Sequence, residues 1–324
     1  MTDLVLLLPG LSLQADRDLR DLSAEHPRLA RLLGRAQRES RSGLFESSLL
    51  SALGLSPSAS LASLTALGDF PDDPPTTRLL RSDPVYLHAD PNKVLVQGRI
   101  RLERDEAVSL LATLNAEFPE LDFRMGRDPG RWYVRQPEEV SGMAPSRHWL
   151  HGRSLTPFMP RSAADRLWRR YLNDLQMVLH AHPVNEARVS RGALPLNAVW
   201  WFGGGDPAVT AEDPAVTRFL GNDILLAGIA SATGQVFNAM PAPEDLLGPG
   251  RVVMTCDEHG DPFDPAQPST TLTELENLYL PVILSALPAR RIRSVTVLCG
   301  SHELRLGWLE SMCFWRAQQR FHLE

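Results

Sequence analysis

Acidic residues and histidines directly follow two apolar runs in the second half of the chain, at residues 251–256 and 294–299. If these runs are strands of an open α/β sheet, the residues after them lie at the edge where such sheets bind ligands. Carboxylates and imidazoles are common ligands of divalent metal ions. The sequence therefore predicts a candidate metal site built from Asp257, His259, Asp261 and His302. The alternatives are an ordinary turn for the acids and a hydrogen-bonded structural histidine at His302.

Three successive glycines, Gly203, Gly204 and Gly205, follow the apolar run LNAVWWF, which contains Trp200. Such a segment can present backbone N–H groups to a phosphate, because it carries no side chains that keep the ligand away. It can equally be a tight turn into which larger side chains do not fit. Both interpretations stay open at this point.

Composition and charge exclude several classes of protein. The 324 residues include 33 basic and 39 acidic ones, and 43% of the residues are hydrophobic. This balance is typical of a globular protein and gives no general attraction to nucleic acid or to an anionic membrane. Three cysteines without C-x-x-C spacing exclude a disulfide scaffold. The start of the chain has no signal-peptide pattern and no apolar stretch is long enough to span a membrane, so we expect a cytoplasmic protein.

The order of predicted elements indicates the fold. Continuous apolar runs at 4–8, 196–202, 251–256 and 294–299 predict strands buried on both faces. Helical spacing between such strands predicts an α/β fold with a doubly wound, mostly parallel sheet. A strand, a helix and a second strand between residues 94 and 135 predict a small inserted α+β domain.

The predicted domain boundaries follow from this order. Residues 1–80 and 185–324 form the discontinuous α/β core, and residues 81–184 form the smaller inserted domain and a connecting helix. Within the inserted domain, Asp83, His88 and Asp90 are expected on a solvated loop and strand edge rather than in a second acidic cluster.

Several segments resemble a known family over nearly the whole chain. They are LTALGDFP, LLRSDPVYLHAD, NDLQMVLHAHPVNEARVSRGALPLNAVWWFGGG and NDILLAGIASATG, which resemble the RpfE-type regulatory protein family. That family is similar to the archaeal-type, cofactor-independent phosphoglycerate mutases of the alkaline-phosphatase superfamily. The resemblance implies the alkaline-phosphatase-like fold, with two divalent metals and a serine nucleophile held at strand ends.

The catalytic positions implied by this resemblance are mostly altered. The expected nucleophile falls at Ala59, between Ser58 and Ser60, and the expected metal-binding aspartate after the first strand is replaced by Pro9. Asp261 stands where the resemblance implies a histidine, whereas Asp257 and His302 remain in register. A two-metal mechanism needs both ions to clamp the attacking and leaving oxygens, so these changes imply a retained fold with a dismantled metal centre.

The first hypothesis is therefore a phosphoglycerate-mutase-like protein with a degenerate metal centre and a regulatory or ligand-binding role, with little or no catalysis. We expect no cofactor, and a small anionic metabolite or a regulatory protein as partner. The residues expected to line the cleft are Arg131, Arg188, Asn197, Trp200, Gly203, Gly204 and Gly205. Arginine guanidinium groups match phosphate and carboxylate geometry, and the alternative for each arginine is a salt bridge.

Two enzymatic hypotheses remain. The first is an active phosphoglycerate mutase or phosphatase that uses Mn or Zn, with Ser58 or Ser60 as nucleophile beside Asp257, His259, Asp261 and His302. The second is a metal-free hydrolase in which Ser301 or another serine is activated by His302. Metal dependence separates the first enzyme from the second, and turnover of a phosphate ester separates it from a binding protein.

Overall fold

The computed structural model describes residues 1–8, 11, 22–40, 45–90, 93–97, 100–138, 140, 144–146, 150, 154–159, 165–207, 216–256, 271–299 and 302–312. The chain forms two compact units, one made of Met1–Pro57 with Thr210–Glu324 and the other of Ser58–Val209. The predicted candidate residues Asp257, His259 and Asp261 lie outside the described residues, as does Ser301.

The elements are as follows in chain order. The strands are β1 (Thr2–Leu7), β2 (Gln37–Ser40), β3 (Leu79–Asp90), β4 (Lys93–Gln97), β5 (Arg124–Met125), β6 (Trp132–Arg135), β7 (Ala198–Phe202), β8 (Val216–Leu220), β9 (Val236–Asn238), β10 (Gly250–Thr255), β11 (Ile292–Cys299) and β12 (His302–Gly307). The helices are α1 (Pro27–Arg35), α2 (Phe45–Ala52), α3 (Leu61–Asp69), α4 (Arg104–Glu117), α5 (Arg166–His180), α6 (Pro183–Ser190), α7 (Ile224–Thr233), α8 (Leu272–Glu274), α9 (Leu280–Ala286) and α10 (Trp308–Met312). A π-helical turn, Leu275–Tyr279, joins α8 to α9.

The first unit is built on a mostly parallel sheet. Within the described residues its seven strands have the order β2-β12-β11-β1-β10-β8-β9. Strand β1 lies at the centre and pairs in parallel with both β10 and β11, whereas β12 and β2 are antiparallel at one edge. Leu4, Val5 and Leu6 are all buried, so β1 is covered on both faces, which explains its unbroken apolar sequence. The prediction of a mixed α/β chain with a mostly parallel central sheet is confirmed.

The second unit contains a separate antiparallel sheet. Strand β3 is its centre, and β4, β6 and β7 all pair with it in antiparallel orientation. The core of this unit is aromatic: Trp132, Trp200 and Trp201 are fully buried, and α5 adds Trp168 and Tyr171 to the same cluster.

The apolar run LNAVWWF therefore belongs to a different sheet from the one that the sequence predicts. Its last five residues, Ala198–Phe202, form β7, which pairs with β3 in the second unit instead of extending the parallel sheet. An unbroken apolar run indicates that both faces of a strand are covered, but it does not indicate the direction in which the strand pairs. Strand β7 is antiparallel and is nevertheless buried along its whole length, so it has the sequence typical of a parallel strand. The second unit also includes residues 58–80 and 185–209, which the predicted boundaries assign to the core domain.

No helix in the described part of the chain combines the length and the apolar character that a transmembrane span requires.

Helix α1 is capped by a carboxylate from another part of the first unit. The residue before it, His26, makes no capping hydrogen bond through its side chain. Instead Glu276, in the π-helical turn, accepts hydrogen bonds from the backbone N–H groups of Arg28 at 2.8 Å and Leu29 at 2.9 Å. The positive end of the helix dipole meets a buried negative charge, which stabilises both the helix start and the π-helical turn.

We expect Glu276→Gln to lower the free energy of unfolding of the first unit by roughly 1 to 3 kcal/mol, because it removes the charge that accepts both hydrogen bonds. Guanidinium denaturation followed by circular dichroism measures the loss. Glu244→Gln, an exposed position in the same unit, is the matched control and should leave stability unchanged within about 0.5 kcal/mol. Equal effects of the two substitutions would contradict the capping role of Glu276.

Candidate functional site

Ser60 lies at the N-terminus of α3 and is almost completely buried. Its Oγ accepts a hydrogen bond from the backbone N–H of Ser63 at 3.0 Å and donates one to the carbonyl oxygen of Gly203 at 3.0 Å. A nucleophilic serine must present its oxygen to a substrate and transfer its proton to a base. The Ser60 hydroxyl is instead engaged within the second unit, where it caps the start of α3 and joins the helix to the glycine segment.

Its two neighbours, Ser58 and Ala59, contact the chain around Asp206. Ala59 carries no hydroxyl, is buried, and forms an isolated parallel bridge with Asp206. Ser58 is exposed, and its carbonyl oxygen accepts a hydrogen bond from the backbone N–H of Asp206 at 2.9 Å. The segment 58–60 therefore pairs with the chain that follows the three glycines.

Glycine is required in this segment by close packing. Gly203 and Gly205 have φ angles of +73° and +155°, which residues with a side chain rarely adopt. A Cβ atom on Gly205 would lie 2.5 Å from the carbonyl oxygen of Ser58. The carbonyl oxygen of Gly203 also accepts a hydrogen bond from the backbone N–H of Ala62 at 2.9 Å. The glycines, including the buried Gly204, thus seat the chain against α3, as the tight-turn interpretation requires.

Arg131 forms a buried ion pair with Asp69, at the C-terminal end of α3. Its Nε lies 2.6 Å from Asp69 Oδ2 and its Nη2 lies 2.9 Å from Oδ1, so the pair is bidentate. The Tyr133 hydroxyl donates to Asp69 Oδ2 at 2.6 Å, and the backbone N–H of Arg127 donates to Oδ1 at 3.0 Å. Both charged side chains are fully buried. The guanidinium fork that the sequence assigns to a ligand is occupied by a carboxylate of the same unit.

The environment of Asp69 determines its protonation state. Burial by itself raises the pKa of a carboxyl group, but the Arg131 guanidinium and the donors of Tyr133 and Arg127 hold the pKa of Asp69 below its ordinary value. Burial also raises the pKa of Tyr133, so the phenol stays protonated and remains a donor to Asp69. The carboxylate is therefore charged at neutral pH and has a donor on each oxygen.

A second buried ion pair lies beside the first one. Arg81 and Asp83, both on β3, form a bidentate contact with distances of 2.8 to 3.0 Å. The Arg81 guanidinium also lies 5.4 Å from the centre of the Tyr133 ring and 5.3 Å from that of Phe202. We refer to Asp69, Arg81, Asp83, Arg131 and Tyr133 as the buried charge cluster.

Most residues of the buried charge cluster were not predicted from the sequence. The prediction that Asp83 lies on a solvated edge is wrong, because Asp83 is buried. His88 and Asp90 are exposed on β3, as predicted. Opposite charges two positions apart share one face of a strand, and Arg81 with Asp83 in an apolar run is the local signal for their pairing. No local pattern links Asp69 to Arg131, because 62 positions separate them.

The other predicted cleft residues of the second unit also have partners inside it. Arg188 Nη1 lies 2.6 Å from a carboxylate oxygen of Glu106, and Arg188 also donates to two carbonyl oxygens. The side-chain amide of Asn197 donates to and accepts from the backbone of Leu87, at 2.8 and 2.7 Å. Trp200 is buried, and its Nε1 donates to the carbonyl oxygen of Pro145 at 2.9 Å. The ligand-binding role of these residues stays a prediction, and the contacts give each one a structural role.

His302, in the first unit, lies beside an arginine. Arg38 Nη2 is 2.7 Å from Nε2 of the imidazole and 3.1 Å from Nδ1. A guanidinium at this distance opposes the binding of a metal cation to either nitrogen. Cys299 pairs with His302 across β11 and β12, and burial raises the pKa of its thiol to about 12, so the thiolate is absent at neutral pH. Among the described residues, no three His, Cys, Asp or Glu side chains gather to hold a metal ion.

The packing of the glycine segment can be tested with two glycines that differ in their surroundings. Gly205→Ala places a Cβ against backbone, whereas Gly192, with φ of +77°, has nothing within 4 Å of the added atom. We expect Gly205→Ala to destabilise the second unit by roughly 2 kcal/mol more than Gly192→Ala, which pays only for the backbone conformation. Urea denaturation of both variants measures the difference. Equal losses would mean that close packing does not select Gly205.

The lowered pKa of Asp69 predicts a pH dependence of stability. A carboxyl group with a depressed pKa in the folded state stabilises the fold above its unfolded pKa, near 3.8, and this contribution is lost as pH falls through the folded pKa. We expect Asp69→Asn to lower stability at pH 7 by about 3 kcal/mol or more and to reduce the loss of stability below about pH 4.

Urea denaturation between pH 2 and 7 checks this expectation. Asp73→Asn is the matched control, since Asp73 forms an exposed ion pair with Arg124 in the same unit and should cost less than about 1 kcal/mol. An unchanged slope of stability against pH below pH 4 in Asp69→Asn would contradict the assignment.

Comparisons with known proteins place this geometry beside two solved structures. No family model and no curated protein matches the chain. The PH0037 protein from Pyrococcus horikoshii is 14% identical, with a TM-score of 0.46, and the match covers 94% of this chain and 87% of that one. The cofactor-independent phosphoglycerate mutase from Thermoplasma acidophilum is 17% identical, with a TM-score of 0.41, and the match covers 94% and 89% of the two chains. Both TM-scores are below 0.5.

Proposed function

We propose that this chain is a phosphoglycerate-mutase-like protein of alkaline-phosphatase-like fold that has little or no catalytic activity. In this proposal it acts in the cytoplasm as a regulatory or ligand-binding protein, whose partner is a small anionic metabolite or a regulatory protein. The family rests on the sequence resemblance to RpfE-type regulatory proteins. The loss of catalysis is supported by one observation. The Ser60 hydroxyl accepts a hydrogen bond from Ser63 and donates one to Gly203, both within the second unit.

The nucleophile is the first part of the mechanism that this geometry weakens. The resemblance places it at Ala59, which has no hydroxyl, and Ser60 is buried with its Oγ between Ser63 and Gly203. Moving Ser60 Oγ toward a phosphoryl group would break the N-cap of α3 and cost about 1 kcal/mol before any chemistry begins. Ser58 is the exposed hydroxyl of the segment and therefore the one that a test must include.

The electrostatic part of the mechanism is weakened in the same way. Phosphoryl transfer depends on positive charge placed around the transferred group. Arg131 and Arg188, the predicted anion-binding residues, are already neutralised by Asp69 and Glu106. His302, the predicted metal ligand, has the Arg38 guanidinium against both ring nitrogens and so does not fit a divalent cation. In this proposal these residues support folding and take no part in catalysis.

The test of this proposal is phosphate-ester turnover by the full-length chain. Hydrolysis of p-nitrophenyl phosphate and interconversion of 2- and 3-phosphoglycerate are measured on metal-stripped protein, with and without added Mn²⁺ or Zn²⁺. We expect the turnover of the unmodified chain to equal that of Ser58→Ala/Ser60→Ala under every condition. Circular dichroism of both proteins confirms that they are folded, since loss of the α3 cap lowers stability by about 1 kcal/mol.

Metal-dependent turnover that disappears in Ser58→Ala would contradict the proposal and support the Mn- or Zn-dependent mutase or phosphatase. Calorimetric titration of the stripped protein with each metal provides a second, independent outcome. Two tight and stoichiometric sites would also contradict a dismantled metal centre.

A further inference from the structure

A depression of about 360 Å³ lies in the first unit, and its lining residues are Met1, Leu247, Gly248, Pro249, Arg290 and Arg291. These residues directly precede β1, β10 and β11, which run in parallel, so the depression is at the N-terminal edge of the sheet. His302 follows the opposite, carboxyl end of β11. The volume lies within the range of sites for small molecules. None of the described site residues predicted from the sequence is among the residues that line the depression.

Arg290 and Arg291 are held in place by the turn between α9 and β11. The backbone N–H groups of Arg290 and Arg291 donate to the carbonyl oxygens of Leu287 and Ala286, at 3.0 and 2.9 Å. The carbonyl oxygen of Arg291 accepts a hydrogen bond from the backbone N–H of Thr2 at 3.1 Å. The guanidinium of Arg290 lies 4.0 Å from the centre of the Trp308 ring. This stacking orients the group and restricts its rotamers, which lowers the entropy lost when a ligand binds.

The opposite wall is fixed as firmly. Gly248 and Thr2 exchange hydrogen bonds through the threonine hydroxyl, and Arg218 donates to the carbonyl oxygen of Leu247 at 3.1 Å. A Cβ atom on Gly248 would lie 2.7 Å from Arg218 Nη2, so a third guanidinium lies against this wall. Leu247 and the exposed Pro249 add an apolar surface beside these charges.

The charges of this depression are not balanced by acids. Within the described residues, neither Arg290 nor Arg291 forms an ion pair, in contrast to the arginines of the buried charge cluster. Asp3, the acid on the neighbouring strand, is bonded to Arg293 at 3.2 Å and to Ser294 at 2.9 Å. The lining contains no carboxylate, so the local field favours an anion.

We propose that this depression binds a small organic phosphate, with the phosphate group on Arg290 and Arg291 and the carbon skeleton against Leu247 and Pro249. Two guanidinium groups supply the charge and the paired donors that a phosphate dianion accepts. This inference rests on the proposed ligand-binding role and names the chemical class of the ligand. It places the site at the sheet edge opposite to the one predicted from the sequence.

Calorimetric titration of the full-length chain with inorganic phosphate and with glycerol 3-phosphate, at low salt, tests the site. We expect one binding site, with glycerol 3-phosphate bound more tightly than inorganic phosphate. Arg291→Gln, which keeps the stacking of Arg290 on Trp308, should weaken binding about tenfold or more. The matched control is Arg305→Gln, which removes the same charge from an exposed position outside the lining and should change affinity less than twofold.

No binding by the folded, unmodified chain, or equal affinity in Arg291→Gln and Arg305→Gln, would overturn the site. Equal affinity for the two phosphates would overturn the organic phosphate as its ligand. The titration uses no metal and no turnover, so its failure leaves the proposal of a non-catalytic protein standing. Conversely, metal-dependent turnover would contradict that proposal without changing the phosphate affinity measured here.

Discussion

The second unit depends on a carboxylate whose side chain is fully buried. Asp69 ends α3 and is bonded by Arg131, Tyr133 and the backbone of Arg127, so a single side chain connects the helix to β6 and the turn before it. A charge in this position is tolerated only while all its donors are present. The start of the same helix is set by Ser60 and the glycine segment. Because its hydroxyl caps α3 and bonds to the glycine segment, Ser60 cannot move without breaking both contacts.

The fold was predictable from the sequence to the extent that burial determines it. The unbroken apolar runs of β1, β10 and β11 indicate covered strands, and these strands form the parallel centre of the first unit. The strand β7 has the same kind of sequence but pairs with β3 in an antiparallel sheet. Strand direction depends on which segments meet across the chain, and residue type alone does not encode it.

The candidate site was less predictable because residue type does not reveal a partner. An arginine that binds a phosphate and one that neutralises a buried aspartate have the same sequence signal, and Arg131 has its partner 62 positions away. The sequence leaves both interpretations of the glycines open, and the close packing of Gly205 against the Ser58 carbonyl oxygen favours the tight turn. In contrast, the depression beside Arg291 carries no motif at all, since three chain segments that are distant in sequence form it.

The amide of Asn197 has a consequence for solubility. It pairs with the backbone of Leu87 as another strand residue would, directly before β7 begins. Open backbone groups along a strand invite pairing with a second chain and are a common origin of aggregation. The Asn197 side chain bonds both backbone groups of Leu87 and so continues the hydrogen bonding of β3 past Ala198, the first residue of β7. The sheet thereby closes this position against self-association without lengthening the strand.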